Sequence, residues 1–141
     1  MKHYIFLFFL FPFLIGCNKD DDSNNRNPYL PDYNFSFTVD KDLPLYSSLY
    51  FTGNPVLIEV PGTINGVIVM NTGSGYTAFE ATCPNQNITS CSRLEVEGII
   101  ATCPCDGVEY NLFTGLGAGV QYPLKSYRVE VLSENAIRIS N

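Results

Sequence analysis

Five cysteines carry most of the chemical reach of this 141-residue chain. Cys17 closes an apolar N-terminal run, and the others, Cys83, Cys91, Cys103 and Cys105, crowd into the C-terminal half. Thiolates can ligate metals, hold iron–sulfur clusters, exchange with disulfides or act as nucleophiles. Zinc calls for a pair of Cys-x₂₋₄-Cys knuckles, and neither Cys83/Cys91 nor Cys103/Cys105 has that spacing. Thiol redox catalysis wants an accessible cysteine near a cation or helix N-terminus, whereas Asp106 sits beside Cys105 and opposes a thiolate. The single histidine is His3, so no Ser/His/Asp set can form in the body of the chain. No paired-carboxylate site stands out from solvated acids. "GLGAG" (Gly115–Gly119) lacks the strand-then-helix context of a phosphate loop and is expected to be a mobile surface loop. An enzyme is therefore not expected; if redox active, the protein would be an electron carrier.

Whether the cysteines stay reduced depends on compartment, and the N-terminus supplies the address. "MKHYIFLFFLFPFLIGC" places Lys2 before an apolar run, Ile5 to Ile15, that ends in small residues. That is the pattern of a secretory signal over 1–16, too short for the ~20 apolar residues of a membrane span. Its ending resembles a bacterial lipobox, which implies acylation of Cys17 as the new N-terminus. At about 0.8 kcal/mol per buried CH₂, several acyl chains make a firm anchor. Residues 17–33 continue as "CNKDDDSNNRNPYLPDY" from Cys17, polar and Asn/Pro-rich, and are expected to be a flexible tether. The Lys19–Asp22 run resembles acidic tags that route some lipoproteins outward, and equally suits a solvated linker. Together these features place the protein at a bacterial membrane, outer membrane or cell surface.

Fourteen acidic residues against eight basic give a net charge of −6. No basic patch exists, which excludes nucleic acid as a partner. The same charge disfavours adhesion to anionic lipid and leaves acylated Cys17 as the membrane link.

In an exported domain, an even set of cysteines forms disulfides first and binds metal second. Four cysteines allow three pairings, and spacing alone does not choose among them. The elements that must position them are strands. In "NFSFTV", Phe35, Phe37 and Val39 share one face. "VLIEV" (Val56–Val60) and "GVIVMNT" (Gly66–Thr72) are β-branched runs between turns. "GYTAFEA" and "RLEVEGIIATC" follow, with Gly98 at a hairpin turn. "YRVEVLSENAIRIS" closes the chain as a hairpin: Tyr127, Val129 and Val131 share a face, Ile137 and Ile139 share another, and Ser133–Asn135 turn. The pattern predicts one all-β domain over 34–141, of stacked antiparallel sheets or a small barrel.

From Gly75 to Ser140 the order of features resembles the Rieske iron–sulfur domain. "GYTAFEATCPN" is similar to the strand and first cluster loop, which in that family reads Cys-x-His. "TCPCDGVEYNLFTG" is similar to the second loop, Cys-Pro-Cys-His-Gly, an aromatic and a Thr-Gly turn. "YPLKSYRVEV" resembles the closing strand. Family clusters use two cysteines on one iron and two histidines on the other. The resemblance puts Cys83 and Cys103 at the cysteine positions, with Asn85 and Asp106 where the histidines belong. Val108 stands where a serine often donates to a bridging sulfide, and Tyr110 keeps the aromatic.

The resemblance further implies that Cys91 and Cys105 form the loop-clamping disulfide, leaving Cys83 and Cys103 to pair across the vacated iron position. No metal and no cofactor are then expected. The protein reads as a cluster-free binding or structural module for an unknown protein or small molecule, with Asn85–Ser92 and Gly115–Tyr122 as candidate surfaces. The alternative is an electron-transfer protein whose [2Fe-2S] cluster uses Cys83 and Cys103 with Asp106, Asn85 or the remaining cysteines.

Overall fold

The structure is a computed structural model and describes residues 27–141. The signal 1–16, Cys17 and most of the tether lie outside the described residues. Nine strands form three antiparallel sheets of three, and no α-helix occurs among the described residues. No helix there is long and apolar enough to cross a membrane.

The middle sheet is built from β2 (Pro55–Ile58), β3 (Val67–Asn71) and β4 (Tyr76–Glu80), in that order. A strand with covered faces on both sides needs a continuous apolar run, and Val67-Ile68-Val69-Met70 provides one, all four buried. Ile68 and Met70 face a core completed by Phe79, Leu94, Ala101, Tyr110, Leu112 and Leu124. Val67 and Val69 face the opposite core, with Val39, Leu49, Ile58, Ala78, Ile137 and Ile139. Period-two alternation thus divides one strand between two cores.

The sheet behind the second core pairs β1 (Ser36–Asp40) and β8 (Arg128–Val131) with central β9 (Ala136–Ser140). Ile137 and Ile139 are fully covered between Val39 and Phe37 on one side and Val131 and Val129 on the other. Val131 shares the face of Val129, as expected, but lies at the outer edge and is exposed. The sheet over the first core is smaller: β5 (Glu95–Glu97), β6 (Ile100–Thr102) and β7 (Glu109–Asn111). Gly98 turns β5 into β6 with φ +56°, as expected of a hairpin glycine.

One buried carboxylate joins the layers. Glu80 is fully covered, yet accepts hydrogen bonds from the Ile64 and Asn65 amides, the Thr82 hydroxyl and the Tyr127 hydroxyl. Four donors satisfy a group whose unpaired burial would cost several kcal/mol.

Two expectations need correction. The expected tether runs to residue 33, but the domain already includes Asn27: the Asn27 amide donates to the Pro84 carbonyl at 2.6 Å, and Leu30 is buried. Lys125 Nζ donates to Pro31 O and pairs with Asp32, fixing the same segment. A single apolar side chain among polar neighbours gave no sequence signal of burial. "GLGAG" is likewise not free. Gly115 is covered, its absent Cβ falling 2.7 Å from the Phe79 ring, and Gly117 bridges to Tyr110.

Candidate functional site

Two loops meet at the end of the small sheet. The first leaves β4 and runs through Cys83, Asn85 and Cys91; the second links β6 to β7 through Cys103, Cys105 and Asp106. Backbone bonds set their shape: the Cys83 amide donates to Ser92 O, and the Cys103 amide to Val108 O. Pro104 and Gly107 make the second loop a tight turn, with Gly107 at φ +74° and its amide returning to Cys103 O. Asp106, exposed, accepts the Val108 amide on its carboxylate at 3.0 Å.

Across the loops run two disulfides, Cys83–Cys103 and Cys91–Cys105, with Cα–Cα separations of 5.5 and 5.3 Å. Of the three open pairings this is the one implied by the resemblance. Their environments differ. Cys83 and Cys103 are 1% and 0% exposed and belong to the first core, whereas Cys91 is exposed and Cys105 partly so. The Sγ atoms of Cys83, Cys103 and Cys105 lie within 4.8 Å of one another, so the bonds are neighbours in space. Thr89 Oγ1 is 3.2 Å from Cys91 Sγ and 3.6 Å from Cys105 Sγ, and Ser92 Oγ is 4.0 Å from Cys105 Sγ.

Asn85 does something else. Its Nδ2 donates to the Tyr110 hydroxyl at 3.0 Å and to Tyr122 O at 2.7 Å, while its Oδ1 accepts the Tyr122 amide at 2.9 Å. One side chain thereby ties the first loop to the Gly115–Tyr122 loop and to the buried ring of β7. Burial pushes the Tyr110 hydroxyl pKa upward, the Asn85 bond offsets part of this, and the Asp106 charge adds to it. Tyr29 stacks edge-on against Tyr122 at 6.1 Å, bringing the N-terminal segment to the same face.

The structure thus joins Cys83 to Cys103 and Cys91 to Cys105, ties Asn85 to Tyr110 and Tyr122, and leaves Asp106 in a solvent-facing turn. The sequence reading placed Thr89, Ser92 and Tyr122 only within candidate surfaces and Tyr110 only as a retained aromatic; their individual contacts to Asn85 and the sulfurs were not legible. Tyr110 reads as any core aromatic in a strand, and the hydroxyls lie in a loop without periodicity.

No protein-family model matches the chain, and no curated protein does. Solved structures do match. The plasma membrane Rieske protein of the cyanobacterium Synechocystis PCC 6803 superposes with TM-score 0.53 at 24% identity, covering 74% of this chain and 99% of that one. The chain has a Rieske-like fold. Looser likenesses are to a chain in the complex of reduced oxygenase and oxidized ferredoxin in carbazole 1,9a-dioxygenase, with TM-score 0.49 at 23% identity over 74% of this chain and 92% of that one. The carbazole dioxygenase ferredoxin of Nocardioides aromaticivorans IC177 follows, with TM-score 0.45 at 18% identity over 77% and 97%. In this Rieske-like domain the two loops that carry the four cysteines of the described residues are closed by disulfides.

Proposed function

We propose that the protein is a membrane-anchored lipoprotein whose Rieske-like domain works without an iron–sulfur cluster, as a binding or structural module stapled by two disulfides. The Cys83–Cys103 bond carries this reading, because it joins the two sulfurs at the positions that would otherwise hold one iron. The remaining donors support it. The Asn85 amide, a neutral and poor ligand, is engaged with three partners. The Asp106 carboxylate caps a turn, and residues 27–141 contain no histidine. The donor set does not fit a cluster held by two cysteines and two histidines.

The binding face is formed by Asn85–Ser92 and Gly115–Tyr122, which Asn85 fastens into one surface. Ile88 and Leu116 stand exposed on it and suit a protein or small-molecule ligand with an apolar part. Lipid anchoring through Cys17 fits the polar segment that precedes Asn27. Cys17→Ser should release the protein from membranes or block its maturation; unchanged membrane partition would sink the anchor.

A second reading, an electron carrier with an atypically ligated [2Fe-2S] cluster, is favoured by the three sulfurs within 4.8 Å. Such a cluster would supply one-electron transfer and would require the Cys83–Cys103 disulfide open, and the Cys91–Cys105 disulfide as well where Cys91 or Cys105 is a ligand. Metal analysis and visible spectra of the full-length chain, prepared without oxygen, separate the two. The expected protein is colourless with negligible iron and sulfide; stoichiometric iron and sulfide with visible absorption would establish the second reading.

A further inference from the structure

The two disulfides lie side by side, yet only one of them faces solvent. Cys91 is exposed and Cys105 partly so, while Cys83 and Cys103 are covered by the first core. An external thiol can reach the outer bond and is excluded from the inner one. The Cys105 sulfur lies within 4.8 Å of both inner sulfurs, close enough for attack after a modest side-chain rotation. Hydroxyls of Thr89 and Ser92 surround the outer sulfurs at 3.2 to 4.0 Å and can donate to a developing thiolate. The Asp106 carboxylate, which sequence order set against a thiolate at Cys105, instead accepts the Val108 amide.

We propose that the two disulfides form an exchange pair, in which the exposed Cys91–Cys105 bond accepts two electrons from an external dithiol and Cys105 passes them to the buried Cys83–Cys103 bond. A thiolate of the dithiol attacks Cys91 Sγ, forming a mixed disulfide and expelling Cys105 as thiolate with the electron pair of the broken bond. The second thiolate of the dithiol resolves the mixed disulfide, releasing Cys91 as thiolate and the reductant as its own disulfide. Cys105 then attacks Cys83 Sγ and expels Cys103. Cys91 finally attacks Cys105 in the Cys83–Cys105 bond, restoring Cys91–Cys105 and leaving Cys83 reduced. The balance is one dithiol oxidised and one buried disulfide reduced to two thiols, with protons passing from the dithiol to Cys83 and Cys103. The domain would then carry electron pairs through sulfur where its structural neighbours are described as Rieske protein and ferredoxin.

The proposal rests on the disulfide-paired state of the cluster-free reading. Peptide mapping and metal analysis of the purified full-length chain keep the two apart: four thiols at Cys83, Cys91, Cys103 and Cys105 that stay free after air oxidation, without iron, overturn the exchange pair, and bound iron overturns the cluster-free reading. The decisive comparison is the rate at which dithiothreitol reduces Cys83–Cys103 in the wild type and in the double variant Cys91→Ser/Cys105→Ser. Exchange predicts at least about tenfold slower reduction in the double variant, since the only accessible entry is gone. A purely structural outer bond predicts the opposite sign, because its loss loosens the loops; equal or faster reduction overturns the proposal. The single variants test the same step by mapping alone. In Cys91→Ser the free thiol should distribute among Cys105, Cys103 and Cys83, while in Cys105→Ser it should stay on Cys91. A thiol confined to Cys105 in Cys91→Ser overturns the exchange.

Discussion

Asn85 holds three partners with one amide, and truncating it strands two of them in a partly covered place: the Tyr110 hydroxyl and the Tyr122 amide. Leaving such groups unpaired costs about 1–3 kcal/mol. Asn85→Ala should lower the melting temperature by several degrees and speed hydrogen exchange at the Tyr122 amide, measured by calorimetry and NMR. An unshifted melting temperature would show the bridge to be incidental. Tyr127 offers a second test at this scale. Burial raises its pKa first, and its hydrogen bond to Glu80 and the charge of that carboxylate raise it further. A phenol whose folded pKa lies above its unfolded value, near ~10, contributes stability that is complete below that pH and is lost as pH rises above it. Tyr110 shifts in the same direction. Denaturation midpoints should therefore fall between about pH 10 and 12, and Tyr127→Phe should flatten that fall while lowering stability at neutral pH.

At the scale of elements, the Gly115–Tyr122 loop is seated by ring contacts at its glycines as well as by Val120 against the first core and Tyr122 against Tyr29. Gly115 combines φ +73° with a Cβ position 2.7 Å from the Phe79 ring, which itself fills the first core. Gly115→Ala meets both obstacles, and overpacking of this kind costs roughly 1–3 kcal/mol. The expected result is a lower melting temperature with the far-ultraviolet spectrum of the sheets retained. An unaltered melting temperature would mean that loop and ring move apart freely. The same loop bears half of the proposed binding face, so ligand affinity should fall with it. Between β6 and β7 the turn at Pro104–Gly107 positions both Cys103 and Cys105, which explains how two cysteines separated by one residue serve different partners: one sulfur enters the core and the other faces outward.

For the whole molecule, the disulfides cross-link the loops that cap the small sheet, and they do so twice over the same interface. Each closes a loop in the unfolded chain and contributes roughly 2–4 kcal/mol. A domain of this size has ~5–15 kcal/mol in all, so full reduction should remove a large share of it and lower the melting temperature by many degrees. Because both bonds restrain the same pair of loops, replacing both with serine should cost less than the sum of the two single-bond losses. A double-mutant cycle by denaturant titration measures the coupling; strict additivity would mean that the loops are held independently.

Much of this was legible in the residues themselves. The β-branched run Val67–Met70 and the alternation of Phe35, Phe37 and Val39 follow from side-chain period and burial, which are local properties of a strand. Gly98 and Ser133–Asn135 mark turns for conformational reasons that also need no neighbours. The absence of histidine beyond His3 bounded the chemistry without any fold. Tertiary structure decided the rest, because each case depends on groups distant in sequence. Asn85 meets Tyr122 across 37 residues, Glu80 meets Tyr127 across 47, and Asn27 meets Pro84 across 57. No period or spacing encodes such meetings. The cysteine pairing is the sharpest instance: four sulfurs permit three pairings on paper. Only the approach of the two loops puts Cys83 against Cys103 in the core and leaves Cys91–Cys105 at the solvent edge.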